Sequence, residues 1–483
     1  MRVAVGTCGA VLGTVSAEPA DADRVAAEAS TLVRAYHDVG LFSGAVLIGS
    51  GDEVVYAEGV GPANLETGQP NTVDTVFKTG SIGKQFFAAV TLRLAERGEI
   101  DPHAPIATYL PEYPRPQGDR ITPHMLMNQT SGIPNYTRLP MFFESMHEPV
   151  DPAAFAAGFT GLELEFEPGT SWAYSNSGYY VLGLIVERVS GKPLAELLDD
   201  ELFGPLGLTQ TGYDGDPSTP AGRALGYEWT PAGMSLEPPV HESKIRSAGM
   251  TYSTATELFR WTRLLHAGAP FEQPDTHLQM TDPGEGKTEN YVYGIGIREH
   301  ERGGVVYRGA GHGGGLNGFQ TLLVYLTPGD WTLVVLCNSG HDVDDLVSGL
   351  QDVIAGVAPE MPRKPLMVAL AESIEHGGID EAQLWIDLVT EEGLHKYLVQ
   401  EAPLNALGYH YLFQEQLDES IFVLRLNARL FPESSNVYDS LGEAYLARGD
   451  TAFALENYKK AAAMDPDNAH AREVVERLES AAP

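Results

Sequence analysis

Apolar residues recur at helical spacing from Val25 to Tyr36, and the segment SGAVLIGSGDEVVYAEGVG that follows holds two apolar runs broken at Gly49, Gly51 and Asp52. This predicts a helix followed by a β-hairpin. Helical spacing resumes over residues 82–97, while residues 111–169 are rich in proline and turn formers. The stretch WAYSNSGYYVLGLIVERVSG predicts an amphipathic helix that ends at Gly191, before Pro193. From Tyr291 to Asn338 the pattern changes to short apolar or alternating runs separated by Gly, Pro and Asp, which predicts an antiparallel meander. A closing helix over residues 343–357 precedes the proline-bearing junction APEMPRKPL at 358–366, where a domain boundary is expected.

Beyond the junction the strand signals stop and a 34-residue repeat begins. With Glu401 and Ser435 as first positions, Leu407-Gly408 aligns with Leu441-Gly442, Tyr411 with Tyr445, Ser420 with Ala454, and Pro432 with Pro466. Small residues at such positions let two helices approach closely, and the proline ends the second helix. The two copies, 401–434 and 435–468, resemble tetratricopeptide repeats. Residues 366–393 read as a divergent helical pair and 469–478 as a capping helix, so 361–483 forms an all-α domain with little beyond the minimum number of units. Such an array serves either as a groove for a protein partner or as a stabilising appendage.

The chain has 483 residues, more than one core usually serves. Its 66 acidic against 31 basic residues give a formal charge of −35, which repels polyphosphates and excludes nucleic acid as a natural partner. The acidity itself names no substrate. Residues 1–17, with an early Arg2, an apolar run and the small pair Ser16-Ala17, read as a secretory signal cleaved near Ala17, which places the protein outside the cytoplasm, secreted or periplasmic. Removal of that segment takes Cys8 with it and leaves Cys337, in the apolar run LVVLCNSG, as the one thiol, suited to burial rather than to a disulfide. No later segment approaches the ~18 consecutive apolar residues of a membrane span, so no integral membrane segment is expected in the mature chain.

Three segments carry candidate chemistry. In FKTGSIGKQFFAAV, Ser81 and Lys84 form S-x-x-K at the start of a helix, almost one turn apart and therefore on one face. The motif is common enough by chance to decide nothing alone. A serine needs a neighbour to take its proton, and a lysine at its ordinary pKa of about 10.4 cannot do so at neutral pH. Burial would lower it, and the apolar residues after Lys84 favour burial. In YSN, Tyr174 can exchange a proton and Asn176 can hold a carbonyl, although the same residues also read as a turn into the following helix.

The third segment, GAGHGGGLNGF, permits three readings. As a dinucleotide loop it fails, because strand-like FQTLLVYL follows it where a helix is required. As an α/β-hydrolase oxyanion segment it lacks the G-x-S-x-G partner, since Thr79 stands where the first glycine belongs. Neither H-E-x-x-H nor paired cysteines are present, so no metal or other cofactor is expected.

The remaining reading rests on order. Ser81-x-x-Lys84, then Tyr174-x-Asn176, then His312-Gly313-Gly314 resembles the penicillin-recognising serine hydrolases, specifically the branch related to class C β-lactamases. The resemblance extends to MLMNQTSGIPNY at 125–136 and SAGMTYSTATELFRW at 247–261, and covers residues 22–356. It implies an α/β (α+β) fold of the β-lactamase/transpeptidase type, an antiparallel sheet flanked by helices plus an all-α subdomain, over 18–360. It further implies Ser81 as acylated nucleophile, Lys84 as its base, Tyr174 as proton relay, Asn176, His312, Gly313 and Gly314 as substrate-binding residues, and the N–H groups of Ser81 and Gly315 as oxyanion hole. Where antibiotic-hydrolysing members have lysine, this chain has His312, so the permanent charge for a substrate carboxylate is missing. That departure favours esters or amides in a small-molecule or peptide substrate over β-lactams, as in the esterase and D-peptidase members. The alternatives are a D-Ala-type peptidase or penicillin-binding protein, and an inactive scaffold whose repeats do the binding.

Overall fold

The computed structural model describes residues 21–215, 222–230, 233–282 and 290–480; the expected signal at 1–17 lies outside the described residues. At the centre is a seven-stranded antiparallel sheet in the order Tyr291–Val292, Ile295–Arg302, Val305–Leu316, Phe319–Thr327, Trp331–Cys337, Gly44–Ser50 and Glu53–Val60. The amino-terminal hairpin thus completes the meander formed more than two hundred residues later. Trp331–Cys337 is buried along its whole length. Val334 and Leu336 face one core while Leu333, Val335 and Cys337 face the other, which is why this strand reads as a continuous apolar run.

The helices Ala22–Asp38 and Asp344–Ile354 cover one face and bury Val25, Leu32, Val33, Leu346 and Leu350 against it. Asp21 caps the first of them by accepting from the N–H groups of Asp23 and Arg24. On the other face lies the larger core, built around the helices Lys84–Glu96, Asn176–Ser190 and Ala255–His266. Phe86 packs edge-on to both Phe203 and Trp261, and Tyr136 sits among Phe142, Phe155, Phe159 and Tyr180. This is the expected α+β architecture with a helical subdomain, and the nucleophile segment lies where the helices meet the sheet.

The carboxy-terminal region is helical throughout. A helical stretch over Leu366–Glu392 is broken at Gly378, which takes φ 69 and ψ −169, and so forms two helices rather than one. The helices Glu401–Phe413 and Leu417–Leu430 form one hairpin, and Ser435–Arg448 and Thr451–Met464 form the next. Corresponding helices start 34 residues apart, and Ala469–Ser480 packs over the last hairpin. A side chain at Gly442 would press on the Tyr458 ring, as one at Gly408 would on Leu424, so the aligned glycines stand where paired helices touch. Among the described residues no helix is long and apolar enough to cross a membrane.

The two regions meet. Trp229, on the short strand Tyr227–Thr230, packs against the cluster that includes Leu366, Leu370, Leu404 and Leu407 of the helical region. That strand is tied to the sheet by Tyr227 N–H donating to Asn338 O at 2.9 Å.

Candidate active site

Ser81 lies in a 3₁₀ turn, Gly80–Gly83, that feeds directly into the helix Lys84–Glu96. The turn is wedged between strands and loops that tolerate no extra atom. Gly80 has φ 54, and a Cβ there would lie 2.9 Å from Gly315 N, while one on Gly249 would lie 2.7 Å from the Gly80 carbonyl carbon. The Ser81 backbone is therefore held against the strand Val305–Leu316 on one side and the Gly249 turn on the other.

Lys84 is fully buried, and burial holds its amine well below the ordinary lysine value. Its Nζ is 2.8 Å from Ser81 Oγ, 2.8 Å from Asn176 Oδ1, and in contact with Ala248 O. The latter two oxygens can only accept. A neutral amine has two N–H groups, and with both committed to Asn176 and Ala248 its lone pair is left for the Ser81 hydroxyl. From the other side Tyr174 Oη donates to Ser81 Oγ at 2.9 Å. Burial raises the Tyr174 phenol well above its ordinary value, so it is a proton donor at neutral pH.

The segment Tyr174–Asn176 is held by the loop at 125–137. Gln129, at φ 68, accepts from Ser175 N–H at 2.9 Å; Asn135 Oδ1 accepts from Asn176 N–H at 3.2 Å; Thr137 Oγ1 accepts from Asn176 Nδ2 at 3.2 Å. That last bond fixes the Asn176 amide with its oxygen toward Lys84. Asn176 is the first residue of its helix, so the turn reading and the site reading of YSN coexist.

His312 to Leu316 continue the Val305–Leu316 strand beyond its last pairing with the neighbouring strand, Gly296 opposite Gly311. On its other side the strand stays paired, Gly315 opposite Gln320. One backbone edge is therefore open beside Ser81. Tyr291 Oη donates to His312 Nε2 at 3.0 Å and His312 Nδ1 donates to Gly313 O, which assigns a neutral ring. Burial pushes the imidazole down to about 3. The His312 ring is 5.9 Å from Tyr174 and 5.6 Å from Tyr291, centroid to centroid.

Gly314, expected to touch substrate, is buried, and a Cβ there would collide with Thr79 O and Thr321 Oγ1. It lets the strand close on the nucleophile turn, while Gly313 and Gly315 alternate to the exposed side. The cleft in front of Ser81 measures about 440 Å³ and is bordered by Asn176, Gly249 and Gly315, with Tyr136, Phe142, Val240 and Ile245 as apolar wall.

The family model described as Beta-lactamase matches residues 29–355. The chain belongs to the β-lactamase family. It is a serine hydrolase of the β-lactamase and penicillin-binding-protein type. Penicillin-binding protein 4* of Bacillus subtilis is 25% identical over 352 residues, which span 67% of this chain and 75% of that one. Esterase EstB of Burkholderia gladioli is 34% identical over 175 residues, 33% of this chain and 44% of that one. A penicillin-binding protein of Bacillus halodurans superposes with a TM-score of 0.57 at 26% identity, covering 67% of this chain and 97% of that one. All three matches leave a large part of this β-lactamase-family chain uncovered.

Several contributors to this site, Gln129 among them, were not legible in the sequence. Ala248 acts through its carbonyl, which no residue type announces. Tyr291 looks like any aromatic in a strand. Asn135 lies in the quoted loop and Thr137 directly after it, and their side-chain direction could not be read.

Proposed function

We propose that this protein hydrolyses an ester or amide through an acyl-enzyme on Ser81. The observation that carries the reading is the position of Ser81 Oγ between a buried Lys84 amine at 2.8 Å, which burial holds well below its ordinary pKa, and the Tyr174 phenol at 2.9 Å. Ser81 Oγ attacks the carbonyl carbon as its proton passes to Lys84. The carbonyl electrons move to oxygen, where the N–H groups of Ser81 and Gly315 receive them; each such donor stabilises the transition state by about 3 kcal/mol. Collapse expels the leaving group, which takes a proton relayed by Tyr174. Water then attacks the acyl ester with the same groups moving its proton. Asn176 keeps Lys84 aimed and offers its amide to the substrate, and Gly313 borders the open strand edge. With His312 neutral, the cleft offers a substrate carboxylate no permanent charge from this position, so esters and amides are preferred to β-lactams.

A fluorophosphonate probe tests the reading: wild type is labelled at Ser81 and Ser81→Ala is not. Equal labelling of both, or none of wild type, sinks it. A panel of p-nitrophenyl esters, D-amino acid amides and nitrocefin then ranks the substrates, with esters well above nitrocefin.

For the helical region, we infer a tetratricopeptide-like array that braces the hydrolase domain, supported by the packing of Trp229 on its core. The exposed Phe413 and Phe453 favour a second role, contact with a protein partner. The secretory reading of residues 1–17 places this activity outside the cytoplasm.

A further inference from the structure

The cleft in front of Ser81 has an acidic border. Glu228 and Glu237 both border it, and among the described residues that border it there is no lysine or arginine. Glu237 is held in place from the turn after the strand that carries Gly315: Asn317 Nδ2 donates to its Oε1 at 3.1 Å and also to Pro238 O at 3.0 Å. Its own N–H donates to Gly226 O at 3.0 Å. Burial and the facing Glu228 carboxylate raise the Glu237 carboxyl, with His147 opposing them. Two carboxylates set face to face repel unless a proton or a cation stands between them.

A second group points to an occupant. Tyr136 is fully buried and borders the same cleft, yet its Oη has no hydrogen-bond partner among the described residues. A buried phenol left unpaired is unfavourable, so a bound group that bonds to it is favoured. Its neighbours Phe142, Val240 and Ile245 are apolar. One cleft therefore presents a nucleophile, an apolar wall with an unsatisfied hydroxyl, and an anionic wall.

We propose that the acyl donor carries a free ammonium group, with Glu237 and Glu228 as its receptor and an apolar side chain against Phe142, Val240 and Ile245. This rests on Ser81 as nucleophile and adds the substrate class: α-amino acyl esters or amides rather than N-blocked or anionic ones. Glu237 is the principal contact because Asn317 orients it; Glu228, exposed, reinforces it. Neither carboxylate takes part in bond making.

The test compares the ethyl esters of phenylalanine, N-acetylphenylalanine and 3-phenylpropionate, each amino acid in both enantiomers, at about pH 6.5, where an α-amine is mostly protonated. The expected result is a kcat/KM for the free-amine ester, in at least one enantiomer, about tenfold or more above both others, the factor given by ~1.4 kcal/mol of interaction. Glu237→Gln brings the ratio toward one, chiefly by raising KM for the amine. Glu228→Gln, at an exposed position where misfolding is not a concern, lowers the ratio partway. Tyr136→Phe raises KM for the preferred ester. Equal turnover of the three esters, or a ratio unmoved in both glutamine variants, overturns the proposal while leaving Ser81 as nucleophile. Absence of turnover together with absence of Ser81 labelling overturns instead the hydrolase reading beneath it.

Discussion

Lys84 Nζ and Asn176 Oδ1 lie 2.8 Å apart although 92 residues separate them in the chain, and this bond sets how the amine can act. In its neutral form, with Asn176 and Ala248 taking its hydrogens, Lys84 turns its lone pair to Ser81. Replacing Lys84 by Met should lower kcat by about 10²–10⁴, the usual worth of a positioned base. The pH dependence of stability should change as well. The folded state holds Lys84 well below its ordinary value, whereas the unfolded chain keeps the amine near 10.4, so the unfolded state binds more protons between those two values. Stability from this group therefore rises with pH across that window. Thermal unfolding from pH 7 to pH 10 should show a slope in wild type that Lys84→Met reduces; identical slopes would mean that the amine is charged in the fold.

His312 should not act as a pH-gated cation. With its imidazole pushed down to about 3, it stays neutral at pH 5, and nitrocefin turnover relative to ester turnover should be flat from pH 5 to pH 8. A rise on acidification with a midpoint near pH 6 would refute the assignment. His312→Lys supplies the missing charge and should raise the nitrocefin-to-ester ratio of kcat/KM by about tenfold or more, as a charge-assisted hydrogen bond of about 1.5–3 kcal/mol implies.

Gly314 and Gly315 are adjacent and should respond oppositely to alanine. At 314 the methyl group meets Thr79 O and Thr321 Oγ1, both fixed by the Thr321 Oγ1 donation to Thr79 O at 2.9 Å. At 315 the nearest atom is Gln320 Oε1 at 3.5 Å, an ordinary contact. Gly314→Ala should cost about 1–3 kcal/mol or more by overpacking, whereas Gly315→Ala should unfold within a degree or two of wild type. Equal melting temperatures would show that the strand does not press on the nucleophile turn.

How legible was this site in the sequence? Ser81, Lys84, Tyr174 and Asn176 were legible because each pair is local, three or two residues apart, and one turn of chain carries each pair to a common point. The meander was legible because antiparallel strands declare themselves by short runs and tight turns. Long-range partners were not. Nothing in the order of residues told that Gly314 faces inward to Thr79 while Gly315 faces the cleft, since a run of glycines has no polarity pattern to set its register. Glu228 and Glu237 were hidden for a different reason: in a chain with 66 acidic residues, two more carboxylates carry no signal until the fold sets them beside the nucleophile.

The packing of Trp229 on the helical region makes a prediction about truncation. Removing residues 361–483 uncovers that ring, and Trp229→Ala removes it; both should loosen the strand Tyr227–Thr230 and raise KM more than they lower kcat. An intact KM in the truncated protein would reduce the array to an independent module.

Glu228 and Trp229 are consecutive, and along a strand consecutive side chains point to opposite faces. One meets whatever enters the cleft; the other is gripped by helices assembled from a repeat. The four residues of this strand therefore join the rim of the cleft to the helical region. A substitution in the repeats that shifts Trp229 should be felt at Glu228 without any contact with Ser81.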